Sequence, residues 1–220
     1  MTVAAANVAV AILAGGGGTR MGERGAVKGL LSVGGQRIID RQLAVLRPLF
    51  AEVLIAANDA DPWADLGLRI VPDRIFSSRS PADGRADRRT LGPIAGLDAI
   101  LAALPPSVDA VVCVAGDMPF LAPALLEHLR EAAPAAGVLA PRIAGRAEPL
   151  LARYARAVAP AVVDQIAFGR YALVDLLTRL GAGVVWIDES ELRALDPDLR
   201  SIANINTPAE LAAFDSPKRA

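Results

Sequence analysis

Short apolar runs of strand length alternate with helix-periodic segments along most of this chain. The predicted strands are 7–13, 52–57, 69–71, 110–115, 138–140, 148–153 and 184–187. Between and after them, apolar residues at three- and four-residue spacing predict helices over 38–46, 94–104, 123–132, 155–166, 173–180 and 208–214. Because strands that are apolar on both faces need cover on both sides, the pattern predicts an α/β fold with a mostly parallel central sheet between two helical layers.

Composition and continuity favour a single folded domain. Of the 220 residues, 53% are hydrophobic and 21% are charged, which is far from the composition of disordered chains. No repeat or low-complexity linker divides the sequence, so we predict one domain over 1–220 with a C-terminal tail at 215–220. The polar, arginine-bearing stretch 74–90 lacks periodicity and predicts a flexible loop, either a basic flap over phosphates or a solvated insertion.

Charge and cysteine content exclude several classes of protein. A net charge of −1 excludes a general nucleic-acid binder that works by releasing counterions, unless its positive charge is strongly localised. The single cysteine, Cys113, excludes an internal disulfide or a cysteine-based zinc site and is expected to be a buried strand residue. No run reaches the roughly 18 apolar residues that would span a bilayer, and no basic residue precedes the apolar first strand as it would in a secretory leader. We therefore predict a cytoplasmic protein with no membrane or nucleic-acid partner.

A glycine-rich segment follows the first predicted strand directly. Leu13 and Ala14 lead into four consecutive glycines, Gly15–Gly18, with the cations Arg20 and Lys28 farther along. The spacing fits neither the P-loop nor the dinucleotide-binding fingerprint. Glycines here let backbone N–H groups converge on phosphate oxygens, so the segment is a candidate triphosphate site, although a simple turn would use the same residues.

Two aspartates also follow predicted strands. Asp117 lies in the turn 116–119, and Asp73 follows Val71 and Pro72. In sheets of this kind the ligand lies beyond the carboxyl ends of the strands, and a carboxylate there suits Mg²⁺ with substrate phosphates. The alternatives are that Asp117 caps the next helix and that Asp73 terminates a turn.

The C-terminal stretch 204–211 is typical of a helix start. Thr207 fits an N-cap, with Pro208 in the first turn and Glu210 three residues after the cap. This interpretation leaves Asn204 unexplained.

Taken together, these motifs resemble a known family. In chain order they are 13–16, 20–22, 28–31, 71–73, 92–96, 116–119, 148–150 and 204–208. Their order resembles that of the molybdenum cofactor guanylyltransferases, within the MobA-like nucleotidyltransferases, from about residue 8 to 214.

The resemblance implies a Rossmann-like three-layer sandwich and a magnesium-dependent transfer of GMP from GTP to molybdopterin or molybdenum-molybdopterin, with release of pyrophosphate. It implies a molybdoenzyme or its chaperone as a further partner. The implied nucleotide-binding residues are Leu13, Ala14, Gly15, Gly16, Lys28, Asp73 and Asp117. The candidate catalytic residues are Lys28 and Asp117, with Asp117 also the implied Mg²⁺ ligand, together with Arg20 as the second cation of the glycine-rich segment. The resemblance places Asn204 and Asn206 near the acceptor or the metal.

Three departures from the family pattern bear on nucleotide preference. Extra residues separate Met21 from Lys28, the stretch 74–90 is long, and Ala56 stands where guanylyltransferases place an asparagine. Asn58 follows on the same strand face by the period of two. A cytidylyltransferase, another small-acceptor NTP transferase and a non-catalytic carrier of the cofactor therefore stay open as alternatives.

Overall fold

A computed structural model of the chain describes residues 7–14, 27–74 and 91–203. The strands are β1 (Val8–Leu13), β2 (Ser32–Val33), β3 (Gln36–Arg37), β4 (Val53–Ala56), β5 (Arg69–Val71), β6 (Ala110–Ala115), β7 (Val138–Ile143), β8 (Arg146–Ala147), β9 (Leu151–Ala155) and β10 (Val184–Ile187). The α-helices are α1 (Ile38–Leu49), α2 (Pro93–Ala103), α3 (Pro123–Glu131), α4 (Ala159–Ala167), α5 (Leu173–Leu180) and α6 (Glu189–Leu195).

The central sheet has the strand order β10-β7-β9-β6-β1-β4-β5. Strand β1 pairs in parallel with β4 and β6, β4 with β5, and β7 with β10. Only β9 runs antiparallel to both of its neighbours, β6 and β7, among the strands on this path. The chain reverses after β7 through Ala144 and Gly145, whose φ angles of 47° and 79° suit a two-residue hairpin turn. The prediction of a mostly parallel sheet is confirmed.

Side chains alternate along the strands, so the sheet has two apolar faces, and a layer of helices covers each of them. Ala9 and Ala11 of β1 belong to the core beneath α2, α4 and α5. Val10 and Ile12 point to the other face and belong to the core beneath α1, α3 and α6. The Rossmann-like three-layer sandwich is thereby confirmed.

Most predicted elements agree with the observed ones to within a few residues. The sequence did not predict the β2–β3 hairpin, the short strand β8 or helix α6. Helix α6 follows the N-cap residue Asp188, whose side chain accepts a hydrogen bond from Glu191 N. The predicted helix 208–214, the tail 215–220 and all of the loop 74–90 except Arg74 lie outside the described residues, so the extent of the domain over 1–220 stays a prediction. Within the described ranges, no helix has the length and apolar character needed to cross a membrane.

Candidate active site

The carboxyl ends of β6, β1, β4 and β5 form one row at an edge of the sheet. The pairing register aligns Ala115 with Leu13, Leu13 with Ala56, and Ala56 with Val71. Two further bonds continue the row, since Gly116 N donates to Leu13 O at 3.1 Å and Ala14 N donates to Ala56 O at 3.0 Å. The segments that carry Ala14, Asn58, Asp73 and Asp117 all leave the sheet from this row.

Lys28 and Asp117 are in direct contact at this edge. Lys28 Nζ donates to Asp117 Oδ2 at 2.9 Å, although the two residues are 89 positions apart. Their side chains are 27% and 18% exposed, so the pair is partly shielded from solvent. No described residue donates a hydrogen bond to the other carboxylate oxygen, Asp117 Oδ1.

The short 3₁₀ turn Lys28–Leu30 reaches this position because Gly29 has no side chain. A Cβ atom on Gly29 would lie 3.0 Å from the ring of Trp63 and 3.3 Å from the carbonyl oxygen of Gly116. Trp63 is only 2% exposed and has little room to move. The close approach of Gly29 therefore sets the position of Lys28 beside the Asp117 turn.

Gln42 of α1 holds the turn that carries Asp117. Gln42 is fully buried, and its Nε2 donates to the carbonyl oxygens of Ala115 at 2.7 Å and Met118 at 3.0 Å. Asp117 does not cap the following helix, because α3 begins at Pro123 with Ala122 as its N-cap residue. The alternative interpretation of Asp117 as a helix cap is therefore wrong.

Asn58 and Asp73 form a second pair, across the ends of β4 and β5. Asn58 Nδ2 donates to Asp73 Oδ2 at 2.8 Å, and Asp73 N donates to Asn58 Oδ1 at 2.8 Å. Ala56, by contrast, is 1% exposed and packs against Gly96 of α2. Asn58 therefore supplies the exposed amide at the end of this strand.

Sequence reasoning missed Asp98, a nearly buried carboxylate on α2. Asp98 is 2% exposed, and its Oδ2 lies 3.5 Å from Arg74 Nε. Burial raises the pKa of Asp98, the charge of Arg74 opposes that rise, and the charge of Asp73 adds to it. The signal was present in the sequence, because Asp98 is the one charged residue in the apolar run 93–103.

Comparison with known proteins shows which family this chain belongs to. The model of the MobA-like NTP transferase domain matches residues 10–177. This chain belongs to the MobA-like NTP transferase family.

Curated relatives and a solved structure agree with this assignment. The chain is similar to a probable molybdenum cofactor guanylyltransferase of Pelotomaculum thermopropionicum, at 33% identity over 91% of this chain and 88% of the relative. It is 34% identical to the molybdenum cofactor guanylyltransferase of Rhodobacter capsulatus over 93% of each chain. The crystal structure of molybdopterin-guanine dinucleotide biosynthesis protein A from Archaeoglobus fulgidus has a TM-score of 0.70 and 29% identity, covering 94% of this chain and 96% of that one. The resemblance stated from the motifs is confirmed, and the chain is a nucleotidyltransferase.

Several site residues predicted for this MobA-like NTP transferase lie outside the described residues. These are Gly15, Gly16, Arg20, Asn204 and Asn206. The structure brings Lys28 and Asp117 into contact and places Leu13, Ala14 and Asp73 on the same edge. The individual roles of all these residues stay predictions.

The described part of this MobA-like NTP transferase contains no group of three or more His, Cys, Asp or Glu side chains that could hold a metal ion by themselves. A lone carboxylate nevertheless suits Mg²⁺, which keeps several waters and takes one or two carboxylates together with substrate phosphates. Asp117 fits that donor set through Oδ1.

Neither Cys113 nor His128 is among the residues described at this edge. Cys113 is fully buried in β6, as expected, and burial raises the pKa of its thiol. His128 of α3 has a 25% exposed side chain, with Nε2 3.2 Å from Glu191 of α6.

Proposed function

We propose that this chain is a molybdenum cofactor guanylyltransferase, which transfers GMP from GTP to molybdopterin or molybdenum-molybdopterin and releases pyrophosphate. The single observation that carries the proposal is the 2.9 Å contact between Lys28 and Asp117 at the carboxyl edge of the sheet. It joins a fixed cation and a carboxylate beside the end of β1, where the glycine-rich segment begins. A nucleoside triphosphate bound there would meet both charges.

The reaction needs positioning and charge stabilisation more than proton transfer. The terminal phosphate of the acceptor attacks the α-phosphorus of GTP, a new P–O bond forms, and the bond from the α-phosphorus to the bridging oxygen breaks with loss of pyrophosphate. A phosphate nucleophile is already ionised near neutral pH, so no general base is required. The enzyme's work is to orient the two phosphates in line and to stabilise the charge that builds on the leaving group.

We propose that the predicted site residues divide this work. Lys28 supplies a positive charge next to the departing pyrophosphate, and Arg20 is proposed to add a second one. The main chain from Leu13 to Gly16 is proposed to hold the nucleotide, with phosphate oxygens accepting from amides beyond Ala14, because Ala14 N already donates to Ala56 O at 3.0 Å. Asn58 and Asp73 are hydrogen-bonded to each other at 2.8 Å and would offer polar groups to the nucleoside. They follow strands that lie two and three positions from β6 in the sheet, the strand that Asp117 follows.

Mg²⁺ is proposed as the cofactor, with Asp117 as its protein ligand. When bound, the ion would neutralise phosphate charge and favour attack at the α-phosphorus. Asn204 and Asn206 are proposed to lie near the acceptor. A molybdoenzyme or its chaperone as partner and a cytoplasmic location also belong to the proposal.

The second candidate is cytidylyl transfer to the same acceptor, which the buried Ala56 favours because it stands where an asparagine would contact guanine. A panel of α-³²P-labelled GTP, CTP and ATP with molybdopterin and Mg²⁺ tests both candidates. We expect label to move to molybdopterin from GTP and not from CTP or ATP. Transfer from CTP alone would contradict the proposed nucleotide.

A matched pair of variants distinguishes the proposed enzyme from a non-catalytic carrier. We expect Asp117→Asn to lower the rate of transfer by about 10²–10³-fold, the loss typical for removing one preorganised electrostatic contact. Asp109→Asn, at the opposite end of β6, should leave the rate unchanged. A carrier would show no transfer with the unsubstituted protein and would deliver cofactor equally well in both variants.

A further inference from the structure

Glu148 lies on the half of the carboxyl edge that the nucleotide site does not use. In the sheet order, Asn58 and Asp73 follow β4 and β5 on one side of β6, whereas β9 and β7 lie on its other side. Leu151, the first residue of β9, pairs with Val114, the penultimate residue of β6. Leu151 N also donates to Glu148 O at 3.2 Å, which keeps Glu148 at this end of β9, about one strand spacing of ~4.8 Å to the side of β6.

The backbone around Glu148 is fixed on both sides. Glu148 N donates to Pro141 O of β7 at 3.0 Å. The hydroxyl of Tyr154, a fully buried residue of β9, donates to Pro149 O at 2.7 Å. Glu148 is therefore held in place before any ligand arrives, as a recognition residue should be.

The carboxylate of Glu148 is not paired with a cation or a hydrogen-bond donor among the described residues, although the charge of Arg146 reaches it. It forms no ion pair or hydrogen bond there, and burial raises its pKa while the charge of Arg146 lowers it. It belongs to no group of metal-binding side chains within the described ranges. A partly buried carboxylate of this kind is best satisfied by a ligand that brings two N–H donors.

We propose that Glu148 binds the pterin ring of the acceptor through the N–H and amino groups of its 2-amino-4-oxopyrimidine edge. This inference rests on the proposed function, because only that function brings a pterin to the site. The two donors are parallel and match the two carboxylate oxygens, as in a bidentate guanidinium–carboxylate pair. Guanine carries the same pair of donors. The nucleotide, however, is proposed to lie toward Asn58 and Asp73, which are on the opposite side of Asp117 from Glu148.

The test varies each substrate in turn with Glu148→Gln. The glutamine keeps the volume of the side chain, but its amide NH2 replaces one carboxylate oxygen. It therefore meets an N–H donor of the ligand where the carboxylate would have accepted a hydrogen bond. We expect the KM for molybdopterin to rise about 10–100-fold, the effect of losing a hydrogen bond to a charged group, while kcat and the KM for GTP change less than twofold. Glu148→Asp should recover part of the affinity for molybdopterin, whereas a residue with only a structural role would not separate the two KM values.

Glu127→Gln is the matched control, because Glu127 is an exposed carboxylate on α3. It should leave both KM values unchanged, and urea unfolding should show that both glutamine variants are folded. An unchanged KM for molybdopterin in Glu148→Gln, or a rise in the KM for GTP instead, would overturn this inference while the proposed function stands. A wild-type protein that transfers no GMP would overturn the proposed function itself.

Discussion

At the scale of single residues, we expect the contact between Lys28 and Asp117 to contribute little to the stability of the fold and much to catalysis. Both side chains are partly buried, with exposures of 27% and 18%, and the pair stands at the edge of the sheet rather than in its core. An ion pair that solvent still reaches contributes only about 0–1 kcal/mol to stability. The pair should therefore matter far more to turnover than to folding.

Lys28→Met separates these two effects, because it removes the ammonium and keeps most of the apolar stem. We expect kcat to fall about 10²–10³-fold as the leaving pyrophosphate loses its fixed positive charge. The free energy of unfolding in urea should change by less than about 1 kcal/mol. Arg69→Met, a cation at the start of β5 on the opposite edge of the sheet, serves as the control and should keep wild-type kcat. Equal kcat values for both variants would contradict the role given to Lys28.

Because of buried Asp98, we expect the free energy of unfolding to fall as the pH rises from about 4 to 7. Its pKa in the folded chain is raised above the ordinary value of 3.8, mainly by burial, so the folded state prefers the neutral form. Such a group contributes stability that is present below the unfolded pKa and is lost as the pH rises through the folded pKa. Ionised Asp98, opposed only in part by Arg74 at 3.5 Å, therefore weakens the fold at neutral pH.

Asp98→Asn should accordingly be more stable than the wild type at pH 7, and the difference should shrink as the pH falls toward about 4. Urea unfolding of both proteins across this range measures the effect. A variant that is less stable than the wild type at pH 7 would mean that Arg74 compensates the charge fully.

At the scale of secondary-structure elements, β9 is tied to α3 through the buried Arg153. Its guanidinium donates to the carbonyl oxygens of Leu129 at 3.2 Å and Ala132 at 2.6 Å, and also to that of Ala133. Burial lowers the pKa of Arg153, which is 1% exposed. These bonds satisfy carbonyl groups at the C-terminal end of α3 that no helical N–H reaches.

Arg153→Met should cost about 2–4 kcal/mol of unfolding free energy, because the carbonyl groups of Leu129 and Ala132 lose their guanidinium donor. Arg153→Lys should recover part of this loss. Arg170→Met, at an exposed position after α4, should stay within about 0.5 kcal/mol of the wild type in the same urea titration. An unchanged midpoint for Arg153→Met would contradict the structural role of Arg153.

Elements with a clear apolar period were predictable from the sequence, and the others were not. Strand β6 is buried along its whole length, and α5 has a sharply divided apolar face, so both were predicted with their observed bounds. Helix α6 buries only Leu192, which is too little for a periodic signal. The direction of β9 was not predictable, because an antiparallel strand has the same two-residue period as a parallel one.

At the scale of the whole molecule, sheet topology explains which parts of the site the sequence could predict. Lys28, Asp73 and Asp117 were named from motifs, and the row of carboxyl strand ends brings their segments together. The supporting residues Gln42 and Asp98 lie within helices and carry no motif, so their contacts emerge only from the packing of α1 and α2.

The most direct measurement is a crystal structure with a non-hydrolysable GTP analogue and Mn²⁺, whose anomalous signal reports the position of the metal. We predict phosphates between Lys28 and the end of β1, the metal at Asp117, and the nucleoside toward Asn58 and Asp73. A nucleotide bound elsewhere, for example in the groove lined by Arg37, Arg47 and Asp65, would contradict the account.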